Sequence, residues 1–257
     1  MPRGGKVRDA LNDGKKLLGG WVNMASPIAT EIMAGAGFDF LMIDQEHGLG
    51  DAMTAVSQQQ AIRSGGPCAA LLRVHDNDPQ LIKRALDSGV DGLMVPLVET
   101  AEAAAAVVNA CLMPPLGQRG VVPGNVRAAR FGYEKDHFIK TKGQDVFVMS
   151  QVETALTVEN LPEIGKVEGI DMLFIGRNDL ASSIGKLDDQ KSPESLELLE
   201  NAERLIKESG RWLGGIPGDG DNAAAMFQRG YDLVIAASDH ALVRDGAVAA
   251  VRANKDR

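Results

Sequence analysis

Residues 67–97 read PCAALLRVHDNDPQLIKRALDSGVDGLMVPL, and this one stretch holds a complete strand–helix–strand unit. Residues 68–74 form a short apolar run of strand length that ends beside Arg73. Asp78 then opens an amphipathic stretch as a candidate N-cap, and Gly89 closes it. A second apolar run at 92–98 completes the unit.

The same alternation extends in both directions from this stretch. Strands are expected at 17–24, 38–46, 68–74, 92–98, 145–153, 171–178, 211–217 and 231–238, with amphipathic segments such as PIATEIMAGAG, DAMTAVSQQQAIRS, TAEAAAAVVNACL and SPESLELLENAERLIKESG between them. Eight β/α units in 257 residues predict a single α/β domain over 1–257, a closed parallel (β/α)8 TIM barrel. Two stretches break the rhythm: 114–143, rich in Pro, Gly and Arg, and 183–192. Long connections inside a compact domain tend to be functional. The first precedes strand five, and its Arg119, Arg127 and Arg130 are candidates to reach an active-site mouth, in the same chain or a neighbour, or else to be solvated surface arginines.

The composition narrows the partners. A net charge of −8 repels nucleic acid and anionic membrane surfaces, so an anionic substrate needs local cations. Cys68 and Cys111 lie far apart in apolar runs with no CxxC pairing, which fits buried thiols in a reducing compartment. The polar amino-terminal stretch MPRGGKVRDALNDGKK lacks a signal-like apolar core, and no run approaches membrane-spanning length, so the expected location is cytoplasmic.

In a barrel of this kind the chemistry sits at the carboxyl ends of the strands. The polar residues expected there are Asn23, then Asp44, Gln45, Glu46 and His47, then Arg73, then Gln151 and Glu153, then Asn178 and Asp179. Gln151 and Glu153 are two apart and share a face, while Asp179 ends the next strand about 4.8 Å away. Two carboxylates with no thiolate nearby suit a hard divalent cation such as Mg2+ or Mn2+. Arg73 adds a fixed cation able to take a carboxylate bidentately. A carboxylate–arginine cluster that merely plugs the barrel end is the competing reading. His47, beside acidic residues at this end, is a candidate proton carrier. His75, His137 and His240 fall in loops or at a helix start and are read as structural. Lysine is informative by position: Lys83, Lys140, Lys142 and Lys166 fall on helices or loops, none on a strand, which argues against an imine mechanism and for metal-assisted enolisation.

Taken in order, FDFLMIDQEHG (38–48), LLRV (71–74), ALDSGVDGLMVPLVET (85–100), QRGVVPGNVRAAR (118–130), QVET (151–154) and GRNDLASSIG (176–185) resemble the HpcH/HpaI aldolase family, the class II pyruvate aldolases. The resemblance implies a pyruvate-binding TIM barrel with its last helix swapped between subunits of a homohexamer, a trimer of dimers. It implies reversible cleavage of 4-hydroxy-2-oxo acids to pyruvate or hydroxypyruvate and an aldehyde, with Mg2+, Mn2+ or Co2+ and no organic cofactor. Glu153 and Asp179 would be metal ligands. Gln151, Gly176, Asn178 and Asp179 would surround the 2-oxo acid, and Arg73 would bind the enolate oxygen. Asp44 would belong to the catalytic set, as would His47, working with Asp87 of a neighbouring subunit. Arg127 would reach a neighbour's aldehyde. Arg177 stands where many members have Pro, and Tyr133 follows an altered aromatic position, departures that leave the aldehyde open. Two enzymatic alternatives are an oxaloacetate decarboxylase or oxaloacetate-using synthase and a citrate-lyase-β-like enzyme acting on a CoA thioester, and a noncatalytic metabolite-binding protein is the alternative from another class.

Overall fold

The computed structural model describes residues 5–255; the first four residues of the polar amino-terminal stretch lie outside it. Eight parallel strands close into a barrel in sequence order: β1 (Leu17–Val22), β2 (Phe40–Asp44), β3 (Ala69–Arg73), β4 (Gly92–Val95), β5 (Phe147–Val152), β6 (Met172–Ile175), β7 (Trp212–Gly215) and β8 (Leu233–Ser238). Each lies inside the segment expected for it, trimmed at the ends where loops take over.

The helices follow from their caps. α2 (Pro27–Gly35), α3 (Ala52–Gly65), α4 (Pro79–Asp87), α5 (Ala101–Cys111), α7 (Ala155–Ile164), α9 (Pro193–Glu208) and α10 (Ala223–Gln228) each begin after a Ser, Asp, Thr or Asn whose side chain accepts a first-turn N–H. α1 (Gly5–Asn12), α6 (Lys135–Thr141) and α8 (Arg177–Ser183) were not expected. α1 sits in the polar stretch, yet its Val7 and Leu11 join the cluster formed by Phe40, Met42, Leu71, Phe147 and Phe174, while Arg8 grips Asp171 at 2.7–2.8 Å. The helix therefore covers the amino-terminal end of the barrel, with Val7 and Leu11 facing its interior.

Period two decides what fills the barrel. Along β2 the residues Phe40, Met42 and Asp44 share one face; along β3 Ala69, Leu71 and Arg73; along β5 Phe147, Met149 and Gln151. The lower members are apolar and pack together. The last member of each series is polar, so one face changes from grease to chemistry at the carboxyl end. Gly19 makes room for this packing, because a Cβ there would stand 2.2 Å from Phe40 Cζ. The alternate face, with Leu41, Ile43, Leu72, Leu93, Val148 and Leu173, forms the second core beneath the helices.

The connection at 114–143 holds a short 3-10 turn at Arg127–Gly132, then α6, and a small core of Met113, Ala128, Ala129 and Phe138. Because it leads into β5, it lies at the amino-terminal end of the barrel. That rules out the expectation that its arginines reach the mouth of their own barrel. α11 (Asp239–Lys255) ends the described chain. Asp239 ties it down by accepting from the backbone N–H groups of Asn23 and Met24 at 3.0 Å, but it is the only buried residue of the seventeen, and Leu242, Val243, Val248 and Val251 are exposed. No described helix is long and apolar enough to cross a membrane.

Candidate active site at the carboxyl end of the barrel

Arg73 ends β3 with its guanidinium buried beside Asp44, which ends the neighbouring β2. Nε donates to Asp44 Oδ1 at 2.9 Å and Nη2 to Oδ2 at 2.7 Å, the bidentate fork that register pairing of the two residues makes possible. Nη1 lies 2.9 Å from Glu46 Oε2, and the Trp21 ring lies under the guanidinium with 4.3 Å from Cζ to its centroid. Sequence reasoning missed Trp21. Its signal was strand parity, since it follows Leu17 and Gly19 on the inward face of β1.

Asp44, expected in the catalytic set, has both oxygens engaged. Besides Arg73 it accepts from Asn23 Nδ2 at 2.5 Å and from the backbone N–H groups of Glu46 and His47 at 3.0 and 3.3 Å. It therefore organises the turn after β2 as well as the arginine. Gly48 completes that turn: a Cβ there would lie 2.1 Å from the Asp44 carbonyl oxygen, so no other residue fits. His47 is thereby placed on the exposed rim.

The acidic half of the site lies across the mouth. Gln151 ends the inward series of β5, and Glu153 follows the strand directly. The expected placement of Asn178 and Asp179 on strand six is corrected: β6 stops at Ile175, and both residues ride on the first turn of α8. The convergence survives the change. A Cβ on Gly176 would lie 3.2 Å from Gln151 Nε2, 3.4 Å from Asp179 Oδ2 and 3.4 Å from Glu153 Cγ, so these three side chains close around a glycine that leaves the space between them open. Asn178 is exposed on the same turn.

Glu153 is 5% exposed, accepts from Gln151 Nε2, and accepts from the backbone N–H of Leu97 at 3.0 Å. Leu97 adopts φ +55° to aim that N–H, a strained conformation for a branched residue. Burial pushes the Glu153 carboxyl up to about 7 against the Leu97 bond, and the nearby charges of Glu46 and Asp179 add to the rise. Glu46 is also raised, by burial first, with Arg73 opposing.

Among the described residues no three His, Cys, Asp or Glu side chains form a ready metal cluster. Two protein carboxylates, one buried and raised, with a buried and unpartnered Gln151 Oε1 alongside, do fit a hard cation that keeps open positions for substrate and water. Arg177, the departure noted in the sequence, turns away from this cleft: a Cβ on Gly218 would fall 1.5 Å from its Nη1. It packs on the backbone after β7.

The remaining expected residues do not join the mouth. Asp87 is the last residue of α4, which runs back down the barrel wall, so it stands at the opposite end from His47. Its Oδ1 accepts from Arg119 Nη2 at 2.7 Å. Arg127 lies beside it, donating to the Ser88 carbonyl at 2.7 Å and to Gln59 Oε1 at 2.6 Å. The structure thus gathers Asp87 and Arg127 on one outer face, and His47, Arg73, Gln151, Glu153 and Asp179 at the mouth.

Comparison with known proteins agrees with this fold. Residues 17–246 match the HpcH/HpaI aldolase/citrate lyase family. The chain belongs to the HpcH/HpaI aldolase family. It is 37% identical to a 4-hydroxy-2-oxovalerate aldolase of Rhodococcus jostii over 95% of this chain and 94% of that one. It is 36% identical to a hydroxypyruvate/pyruvate aldolase of Deinococcus radiodurans over 100% and 92%. The crystal structure of an HpcH/HpaI aldolase/citrate lyase family protein from Burkholderia cenocepacia superposes with a TM-score of 0.91 at 34% identity, covering 98% of this chain and 99% of that one. As a member of this family the protein is a carbon–carbon lyase of the metal-dependent class II pyruvate aldolase type.

The raised Glu153 carboxyl gives a pH signature in metal-free protein. Between about 4.5 and about 7 the folded state holds a proton that the unfolded state has lost, so stability falls as pH rises through this window and then levels off. Thermal unfolding in chelator should show this decline. Glu153→Gln should flatten it, and an unchanged slope in the variant would assign the effect to another group.

Proposed function

We propose that this single-domain barrel reversibly cleaves 4-hydroxy-2-oxo acids to pyruvate or hydroxypyruvate and an aldehyde. The observation that carries the reading is the pairing, at one mouth, of a fixed Arg73 guanidinium with the buried Glu153 and the nearby Asp179 carboxylate. Glu153 and Asp179 would hold Mg2+, Mn2+ or Co2+, which when bound supplies Lewis-acid polarisation of the 2-oxo acid.

The chain's own residues account for the rest. Gln151 and the open space at Gly176 orient the 2-oxo acid, with Asn178 at the rim. In the cleavage direction His47 takes the C4 hydroxyl proton. The C4–O bond becomes a carbonyl, the C3–C4 bond breaks, and its electron pair moves into an enolate whose oxygen Arg73 stabilises. A proton returned to C3 gives pyruvate. Asp44 and Trp21 keep the guanidinium in place for that moment. Oxaloacetate should react at the same site: CO2 leaves with C4, the pair stays as the same enolate, and no hydroxyl proton is removed. Decarboxylation is therefore the second reading, favoured by the same Arg73 geometry.

His47 is exposed on the rim and Asp87 stands at the opposite end of the wall, so the proton carrier and its carboxylate meet only across subunits, with Arg127 crossing beside Asp87. The exposed apolar side chains of α11, together with Ile28 and Ile32 of α2, support assembly as a homo-oligomer, a hexamer built as a trimer of dimers with α11 exchanged. Two buried free thiols fit a cytoplasmic location.

Pyruvate release from a panel of 4-hydroxy-2-oxo acids should stop in EDTA and in Glu153→Ala while the fold persists; full turnover in chelator would remove the metal from the reading. Arg73→Lys should lower kcat by on the order of 10²-fold, because an ammonium cannot reproduce the planar fork toward Asp44 and the enolate together. Unchanged kcat would make Arg73 structural. Coexpressed Asp87→Asn and His47→Ala subunits should regain activity that neither has alone, since mixed assemblies contain sites with both native residues. Mixed oligomers verified by mass that stay inactive would refute the shared site.

A further inference from the structure

The sequence offered Arg119 either as a cation reaching an active-site mouth or as a solvated arginine on a long loop. The structure encloses it instead: its side chain is 2% exposed, its Cζ lies 5.5 Å from the centroid of the Phe138 ring, and its backbone N–H donates to the Leu112 carbonyl at 2.9 Å. Among the described residues its one ion pair is with Asp87 Oδ1, at 2.7 Å. The carboxylate it holds is in an adverse place. Asp87 is the last residue of α4, where the unpaired carbonyls of the helix end repel negative charge. A flexible aspartate there would turn away from the helix axis into solvent.

Resting on the shared-site reading above, we propose that Arg119 is a positioning residue of the catalytic machinery, holding Asp87 at the foot of α4 for the site of a partner subunit. The two exposures divide the labour: the arginine is enclosed, while the Asp87 side chain is 28% exposed and, among the described residues, only its Oδ1 is hydrogen-bonded. One oxygen is fixed from behind and the other is left for a group outside the chain. Arg127, donating to the carbonyl of the very next residue, Ser88, braces the same corner from the other side. An enclosed guanidinium resists the rotation that a lysine or a water would permit, so the free oxygen keeps one direction.

This role separates from a merely structural ion pair by its reaction dependence. Asp87 serves the removal of the C4 hydroxyl proton, which aldol cleavage needs and oxaloacetate decarboxylation does not. Both rates would be measured on the assembled wild-type enzyme, Arg119→Met, Arg119→Lys and Asp87→Asn. Arg119→Met should lower kcat for cleavage by on the order of 10²-fold, the loss expected from misplacing a proton-transfer group by about 1 Å, with KM and decarboxylation within about twofold of wild type. Arg119→Lys should restore part of the cleavage rate. Equal loss of both reactions in Arg119→Met would overturn the proposal, as the ion pair would then only support the wall. Wild-type cleavage in Arg119→Met beside an inactive Asp87→Asn would overturn it too, while leaving the shared site standing. Cleavage intact in Asp87→Asn would remove the shared-site reading and this proposal with it. Should Arg119→Met fail to assemble, the ratio of cleavage to decarboxylation in Arg119→Lys decides: a severalfold fall supports the proposal, and an unchanged ratio refutes it.

Discussion

The buried fork between Arg73 and Asp44 is the constraint around which the catalytic end is arranged. Both side chains are almost wholly enclosed, at 8% and 0% exposure, so neither charge can revert to water if the other is lost. Removing one partner of such a pair typically costs about 3–5 kcal/mol, because the survivor is left uncompensated. The protein therefore spreads the satisfaction of Asp44 over four further structural features: Asn23 just after β1, two backbone N–H groups of the following turn, and the glycine at 48 that lets the turn fold back. One carboxylate fixes the guanidinium, the rim that carries His47, and the junction with β1 at once.

The opposite half of the mouth is arranged by the contrary rule. Where Asp44 is surrounded by donors, Glu153 receives two and is otherwise desolvated among other acids, so its carboxyl rises toward neutrality. A site that held only structural carboxylates would be expected to pair them as Asp44 is paired. The strained Leu97 backbone shows that Glu153 is nevertheless held in a fixed direction. A preoriented but undercompensated carboxylate beside Asp179 suits a cation that arrives with charge to offer, and Arg73 stands close enough to lower the Glu153 carboxyl without hydrogen bonding to it.

Much of this was legible in the sequence because it is local. The strand runs and their flanking caps are contiguous, and strand parity alone puts Arg73 and Gln151 on the inward face. What was misplaced or missed has a physical reason in each case. α8 starts at Arg177 directly after Gly176, and no side-chain cap marks the boundary, so Asp179 reads as strand although it is helix. α1 looks polar because only Val7 and Leu11 need to be apolar to join the barrel interior. Trp21 is one of only two tryptophans, yet nothing in LLGGWV announces that the guanidinium of residue 73, two β/α units further along the chain, will lie over its ring. The pairing of Arg119 with Asp87 spans 32 residues and depends on how the loop before β5 folds over α4, which no periodicity encodes.

The barrel's geometry also explains why Arg73 stands apart from Arg119 and Arg127. Arg73 belongs to the carboxyl end, where strands stop and a cation can face the reacting atoms. Arg119 and Arg127 belong to the amino-terminal end, where helices stop and carbonyls and a carboxylate accept from them. A helix that follows a strand must return to the far end before the next parallel strand begins, so residues at the end of α4 cannot approach their own mouth by any loop motion that keeps the barrel closed. Their organised, partly exposed groups then have either no chemical role or a role in another copy. The exposed apolar stripe of α11, anchored at its base by Asp239 and resting little of its length on its own barrel, is the feature that makes a second copy the more economical explanation. A second copy is what the shared-site proposal requires, because Asp87 at the foot of α4 cannot reach His47 within one chain.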